Sequence, residues 1–295
     1  MNITVKTSST YEFDTDQNGF PTFTKKNIEF LNGILRYDSS YSTSSDKNNP
    51  EYQNSYAGIL EGKGEDFFNF SPTAASSEVD ELGNPIDDLY RVIVSIDNIN
   101  STHLSSEGNS NNSETSNEKR NKGRAKVAQE IRNLGGDYLK ESLQAGNTEI
   151  IETIADSNVG GKRNFSFATK FCSYVSIHAL GQDKYCIYDE ILQQVLPYYA
   201  YMYIDDDTLY KDLYKTIKAT KRNKDSRNES TVSSFKQEKD GYEKYRNIIN
   251  KIIEGVKNKI NVTISYADFD HMVWYYFKGS TSKRLNAMKC LPHKN

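Results

Sequence analysis

From Ala125 to Phe277 one pattern recurs, apolar residues three or four positions apart, and it commits this half of the chain to helices. Ala125–Ala145 and Thr148–Asp156 carry it, with Gly135-Gly136 interrupting the first segment. Phe165–Ala179 follows. Asp189–Tyr203 is expected to begin at Asp189, a residue type suited to capping the free amides of a first turn, and to end or bend at Pro197. Asp206–Thr220 opens on an acidic triplet that suits the positive end of a helix dipole. After a charged connector, Lys221–Lys239, come Gly241–Lys259 and Tyr266–Phe277. Six or seven helices and few strands make residues 125–279 an all-α domain and the fold mainly α.

The remainder is less regular. In residues 1–97, Met1–Lys6 alternates, Gly19-Phe20-Pro21 marks a turn, Lys26–Leu35 reads as a short helix and Tyr90–Ile96 (YRVIVSI) as a strand. This predicts a smaller α+β N-terminal region. Residues 98–124, NINSTHLSSEGNSNNSETSNEKRNKGR, offer scarcely an apolar side chain to bury and read as a flexible linker or insertion. Its basic end, Lys119, Arg120, Lys122, Arg124 and Lys126, is either a solvated linker end or a phosphate contact. Residues 280–295 read as a loose basic tail.

Composition excludes several function classes. The opening MNITVKTSST has neither a cationic n-region nor an apolar h-region, and 18 apolar residues never run together, so a cytoplasmic location is expected. Cys172, Cys186 and Cys290 form no CxxC pair and are too few for a zinc site, a disulfide framework or a four-cysteine iron–sulfur loop; buried thiols are expected. His103, His178, His271 and His293 share no metal-site spacing. No HExxH, P-loop or GxSxG occurs, and no arginine precedes a histidine by four to seven positions as a toxin-like ribonuclease would require. The net charge of −3 argues against non-specific coating of nucleic acid but leaves room for a local basic face, for which Lys215, Lys218, Lys221, Arg222, Lys224 and Arg227 form the densest run. That run is read equally as a helix end complementing its dipole or as a phosphate-contacting patch.

The strip with chemistry in it is Gly160–Tyr199. Lys170 falls early in an otherwise apolar helix, beside Phe167, Phe171, Tyr174 and Val175; desolvation in such surroundings favours the neutral amine, which is a nucleophile. Nineteen residues on, Asp189 heads the next helix, where first-turn amides can keep a carboxylate ionised to stabilise a developing cation. Taken alone, the pair also reads as a snorkelling lysine and an ordinary helix cap.

This strip resembles the helix-hairpin-helix DNA glycosylases with lyase activity, such as the 8-oxoguanine DNA glycosylases. They carry a hairpin of the type Leu-Pro-Gly-Val-Gly-x-Lys and, about nineteen residues later, a Val-Asp that opens a helix. Here the corresponding stretches are Asn164-Phe165-Ser166-Phe167-Ala168-Thr169-Lys170 and Ile187-Tyr188-Asp189. Ser166 and Ala168 stand where the family has its hairpin glycines, and Phe165 replaces its proline. The resemblance implies a glycosylase-like helical domain acting on double-stranded DNA with a flipped base. Lys170 would attack the sugar and Asp189 stabilise the cation, with no metal or redox cofactor. Lys162, Arg163, Asn164 and Ser166 would supply donors to the phosphate. Asp270 and Trp274, from a late helix that is otherwise aromatic core, would line the base pocket with Phe167. The implied activity is excision of a damaged or modified base, in repair or in defence against modified DNA. The rival reading is a module on the same scaffold that binds DNA or protein and performs no chemistry.

Overall fold

In the computed structural model, residues 11–37, 50–70, 86–100, 102, 104, 115–157, 163–219 and 226–293 are described. They form thirteen α-helices and one antiparallel pair of short strands. The expectation of a mainly α fold holds.

Two helices act as hubs. The first is α8 (Phe165–Leu180). Against it pack α3 (Tyr56–Lys63), α4 (Asp88–Asn100), α6 (Gly136–Ala145) and, most extensively, α7 (Glu149–Ala155). The second hub, α9 (Glu190–Tyr203), is surrounded by α10 (Asp207–Asp212), α11 (Gly241–Ile260), α12 (Tyr266–Phe277) and α13 (Thr281–Lys289). One continuous apolar core runs through both, from Leu60, Ile93 and Val127 through Phe171 and Val195 to Ile249 and Met272. The first helix, α1 (Lys25–Tyr37), lies on α12, and a four-residue turn of helix, α2 (Pro50–Gln53), precedes α3. Close contact between the hub α9 and α11 depends on Gly255, where an added Cβ would lie 1.9 Å from the Tyr203 carbonyl oxygen.

The N-terminal segment is tied down by one buried amide. Asn27 accepts from the Asp14 amide at 3.0 Å and donates to the Asp14 and Thr22 carbonyls, both at 2.8 Å. This fixes the turn at Gly19-Phe20-Pro21, so that Phe20 packs edge-on to Tyr198 and Phe23 lies on Phe269.

Several local expectations are corrected. Tyr90–Ile96 lies within α4: Asp87 accepts from the Tyr90 amide at 2.8 Å, and Leu89, Val92, Ile93 and Ile96 all turn inward at helical spacing. The β-branched run suits a strand locally, but burial on one helical face overrides that preference. The expected linker also gives way at its end, where Ser116–Leu134 forms α5 behind a capping box between Thr115 and Glu118. Its Arg124 is buried, with Nε donating to Asp97 at 2.9 Å, so this basic residue serves the fold.

Asp206–Thr220 is only briefly helical. After α10 the chain turns into β1 (Tyr214–Ile217), which pairs antiparallel with β2 (Arg227–Ser230) inside the expected connector. Pro197 does not end α9. Lacking an amide hydrogen, it orphans the Gln193 carbonyl one turn back, and the Ser230 hydroxyl of β2 donates to that oxygen instead. The tail is not loose either, because Thr281–Lys289 is α13 and buries Ala287 and Met288. The strand expected at Met1–Lys6 lies outside the described residues. Cys172 and Cys186 are free and buried, as expected, whereas Cys290 is only half-buried. Among the described residues no helix is long and apolar enough to cross a membrane.

Candidate active site

The site is built on the pairing of α7 with α8. Where the connection meets α8, the Asn164 amide donates to the Ala155 carbonyl at 2.9 Å, and the Asn164 side chain reaches Ser157 Oγ at 3.2 Å. Arg163 locks this corner. Its Nε donates to Asp156 at 2.6 Å, its Nη2 to Glu152, and its Nη1 to the Lys236 carbonyl at 2.9 Å, while its guanidinium lies over the Phe165 ring. The expectation of Arg163 as a phosphate donor is corrected accordingly, since its donors are spent inside the fold. Ser166 sits half-buried in the first turn of α8, and Asn164 precedes that turn without capping it by a side-chain bond. Lys162 and Gly160-Gly161 lie outside the described residues.

Lys170 lies in the second turn of α8 and is only 7% exposed. Asp189, 8% exposed, is the N-cap of α9 and accepts from the Leu192 amide at 2.8 Å. The segment leading into Asp189 is clamped by hydroxyls. Tyr242 donates to the Cys186 carbonyl at 3.2 Å, Tyr245 to the Ile187 carbonyl at 2.6 Å, and Tyr188 itself to the Val232 carbonyl at 2.9 Å. A further bond joins the two halves of the site. The Tyr188 amide donates to Thr169 Oγ1 at 3.1 Å, which ties the residue before Asp189 to the residue before Lys170.

Asp270 of α12 completes the group. Its Oδ1 is buried without a hydrogen-bond partner among the described residues, and it shares an electrostatic environment with Lys170 and Asp189. Burial pulls the Lys170 ammonium below the ordinary lysine value, against the opposing pull of the Asp189 and Asp270 carboxylates. Burial raises Asp189, opposed by Lys170 and by the Leu192 and Ile191 amides. Asp270 is raised further, by burial and then by Asp189. Of the two carboxyls, Asp189 is therefore the better placed to ionise and Asp270 the one that holds its proton longer.

This ordering has a stability consequence. A carboxyl whose folded-state pKa is raised costs the fold nothing below its unfolded value, about 3.8. Stability then falls as pH rises through the window up to the folded value, because the folded state binds the proton more tightly. Asp270→Asn is expected to raise stability at pH 7, because the variant no longer holds an ionisable carboxyl in a buried site. The gain should fade on acidification below pH ~4, where both states of the native chain are protonated. Urea melts of the two proteins at several pH values check this, and a pH-independent difference would contradict it.

The other residues of the expected base pocket divide. Trp274 is one turn from Asp270 on α12, half-buried, with the Lys278 ammonium 3.6 Å from its ring centroid. Phe167 is corrected to a core residue, 1% exposed and stacked on Phe171, so it offers no face to a base. Tyr174, one turn after Lys170, is stacked on Tyr56 at 4.4 Å, and its hydroxyl donates to Asn100 at 3.2 Å; both Asp270 and Asp189 act on it. Its i+4 spacing from Lys170 places it on the same helix face, as the sequence indicates. His271, beside Asp270, keeps a buried Nδ1 without a partner among the described residues, and burial lowers its pKa. His178 meets Glu61 at 3.2 Å. Among the described residues no cluster of His, Cys, Asp and Glu could hold a metal ion.

A family model described as HI_0787_N, N-terminal domain, matches residues 79–179. The match takes in α4 to α8 and includes Lys170, but ends before Asp189 and α12. No curated protein and no solved structure matches the chain.

Proposed function

We propose that this protein is a DNA glycosylase with abasic-site lyase activity, removing a damaged or modified base through a lysine Schiff base. The supporting observation is a lysine almost withdrawn from water, Lys170, under the electrostatic influence of two carboxyls of which one, Asp189, is braced by helix amides. An isolated lysine on a helix face would leave its ammonium in solvent, whereas this one is pressed toward the neutral amine that nucleophilic attack requires.

In this reading the target nucleotide is flipped out of the duplex toward α12. Nζ of Lys170 bonds to C1′ as the C1′–N bond to the base breaks, and the departing base takes up a proton. Asp189 carries the negative charge opposite the oxocarbenium-like sugar. The C1′–O4′ bond then opens, leaving an iminium between Nζ and C1′. Loss of a C2′ proton expels the 3′-phosphate by β-elimination, and water releases the lysine. In this reading Asp270 and Trp274 of α12 would meet the base. The biological setting would be repair or defence against modified DNA.

Borohydride trapping tests the reading, with duplexes bearing an abasic site or a modified base. A covalent protein–DNA adduct at Lys170 is expected. A folded protein that binds DNA and yields no adduct would favour the non-catalytic module, a reading supported by the diversion of Arg163 into the fold and by Ser166 and Ala168 in place of glycines.

Thr169 is the positioning residue of this mechanism. Thr169→Val keeps the side-chain shape but removes the acceptor for the Tyr188 amide. Single-turnover cleavage should slow about tenfold, with DNA affinity unchanged and the rate restored in Thr169→Ser. A uniform loss of rate and affinity would show damage to the fold instead.

A further inference from the structure

A groove of ≈ 330 Å³ opens between α9, β2 and α13, lined among others by Gln193, Arg227, Ser230, Ser233, Arg284 and Leu285. Two guanidinium groups enter it from different elements, and the Nε–H of each is buried without a hydrogen-bond partner among the described residues. Their remaining contacts are modest. Arg227 Nη2 donates to Glu229 at 2.6 Å; Arg284 Nη2 donates to Thr281 Oγ1 at 3.0 Å, and its Nη1 stands 3.9 Å from Glu190. A buried N–H left without an acceptor is costly, so two in one groove point to an occupant that accepts hydrogen bonds. Planar forks of this kind suit an oxyanion.

Position indicates which oxyanion. The groove begins one turn from the candidate active site, since the Gln193 amide bonds to the Asp189 carbonyl at 2.9 Å. Cations extend from its rim along the β-hairpin: Lys215 is exposed on β1 opposite Glu229, and Lys218 is exposed just beyond that strand. We infer that the α9–β2–α13 groove seats a backbone phosphate of the DNA strand, held by Arg227 and Arg284. This rests on the DNA-acting reading above. It also gives a role to part of the basic run of the sequence: Lys215 and Arg227 lie on the paired strands and Lys218 just beyond β1, while Lys221, Arg222 and Lys224 lie outside the described residues. A strand anchored here would be held at the N-terminus of α9, independently of the α7–α8 corner.

The test is the salt dependence of binding to an abasic duplex, measured by fluorescence anisotropy for the native chain and for Arg227→Gln/Arg284→Gln. Thermal melts confirm that the variant is folded, and an Arg227→Lys/Arg284→Lys protein keeps the charge. Loss of this phosphate contact should flatten the slope of log K against log salt by about 1 and weaken binding about tenfold at 0.1 M salt. The lysine variant should recover the slope. An unchanged slope in a folded Gln variant, with the native chain binding normally, overturns the groove while leaving the glycosylase reading intact. Failure of the native chain to bind any duplex overturns that reading and the groove assignment with it. Saturable, Arg-dependent binding of inorganic phosphate without effect on the DNA slope would make the groove a free-phosphate site and also overturn the inference.

Discussion

Lys170→Ala is expected to abolish the borohydride-trapped adduct and to lower single-turnover cleavage by at least about 10³-fold, while the affinity for DNA changes by less than about threefold. The asymmetry follows from burial. A lysine 7% exposed contributes little to the surface that meets a duplex but is the amine that a Schiff base in this mechanism requires. The pH profile adds an independent check. Because the neutral amine reacts, and burial lowers the Lys170 pKa, the rising limb should lie below the ordinary lysine value of 10.5. Asp189 is the larger of the two charges that oppose this shift. Asp189→Asn should therefore move the limb further toward acid even as it slows the reaction by removing the countercharge. A variant that loses DNA binding together with cleavage would identify Lys170 as part of the fold.

Arg163→Ala should cost about 3 kcal/mol of stability, read as a lower urea midpoint, and should blunt DNA binding only indirectly. Removing this guanidinium leaves Glu152 and Asp156 without their shared cation and the Lys236 carbonyl without its donor. It also detaches the α7–α8 corner from the turn that leads into α11, which Glu152 holds by accepting from the Tyr242 amide at 3.1 Å. If Arg163 contacted phosphate instead, the variant would melt normally and show a shallower salt slope.

What could be read from the sequence was local. The start of α9 at Asp189 and the extents of α8, α11 and α12 follow from capping residues and helical periodicity, both short-range properties of the chain. The start of α5 carried the same kind of signal in Thr115-Ser116-Asn117-Glu118, a capping box hidden by its polar surroundings. Tyr90–Ile96 shows the opposite case, a segment whose β-branched residues favour one state while its burial requires the other. What could not be read depends on partners far apart in the chain. The continuation of α9 through Pro197 requires Ser230, 37 residues from the carbonyl it satisfies. The abundance of tyrosine, easily taken for genome bias, includes Tyr242 and Tyr245, whose hydroxyls hold the backbone ahead of Asp189 from 56 and 58 residues away. At the site, the pairing of Lys170 with Asp189 came from the resemblance of the strip to the glycosylase pattern, while the displacement of Arg163 and Phe167 into structural roles emerged only from packing.

The placement of Trp274 gives the protein an optical property of its own. It is the one tryptophan of a chain with 21 tyrosines, and it stands a turn from Asp270 with a lysine ammonium against its ring. Excitation absorbed by the many buried phenols drains toward this single indole, so the ultraviolet emission of the whole molecule reports on one point beside the candidate site. A nucleobase that displaced the ammonium and stacked there would quench that emission directly. Entry of the substrate would then be visible in the native protein, in real time, without a label on either partner.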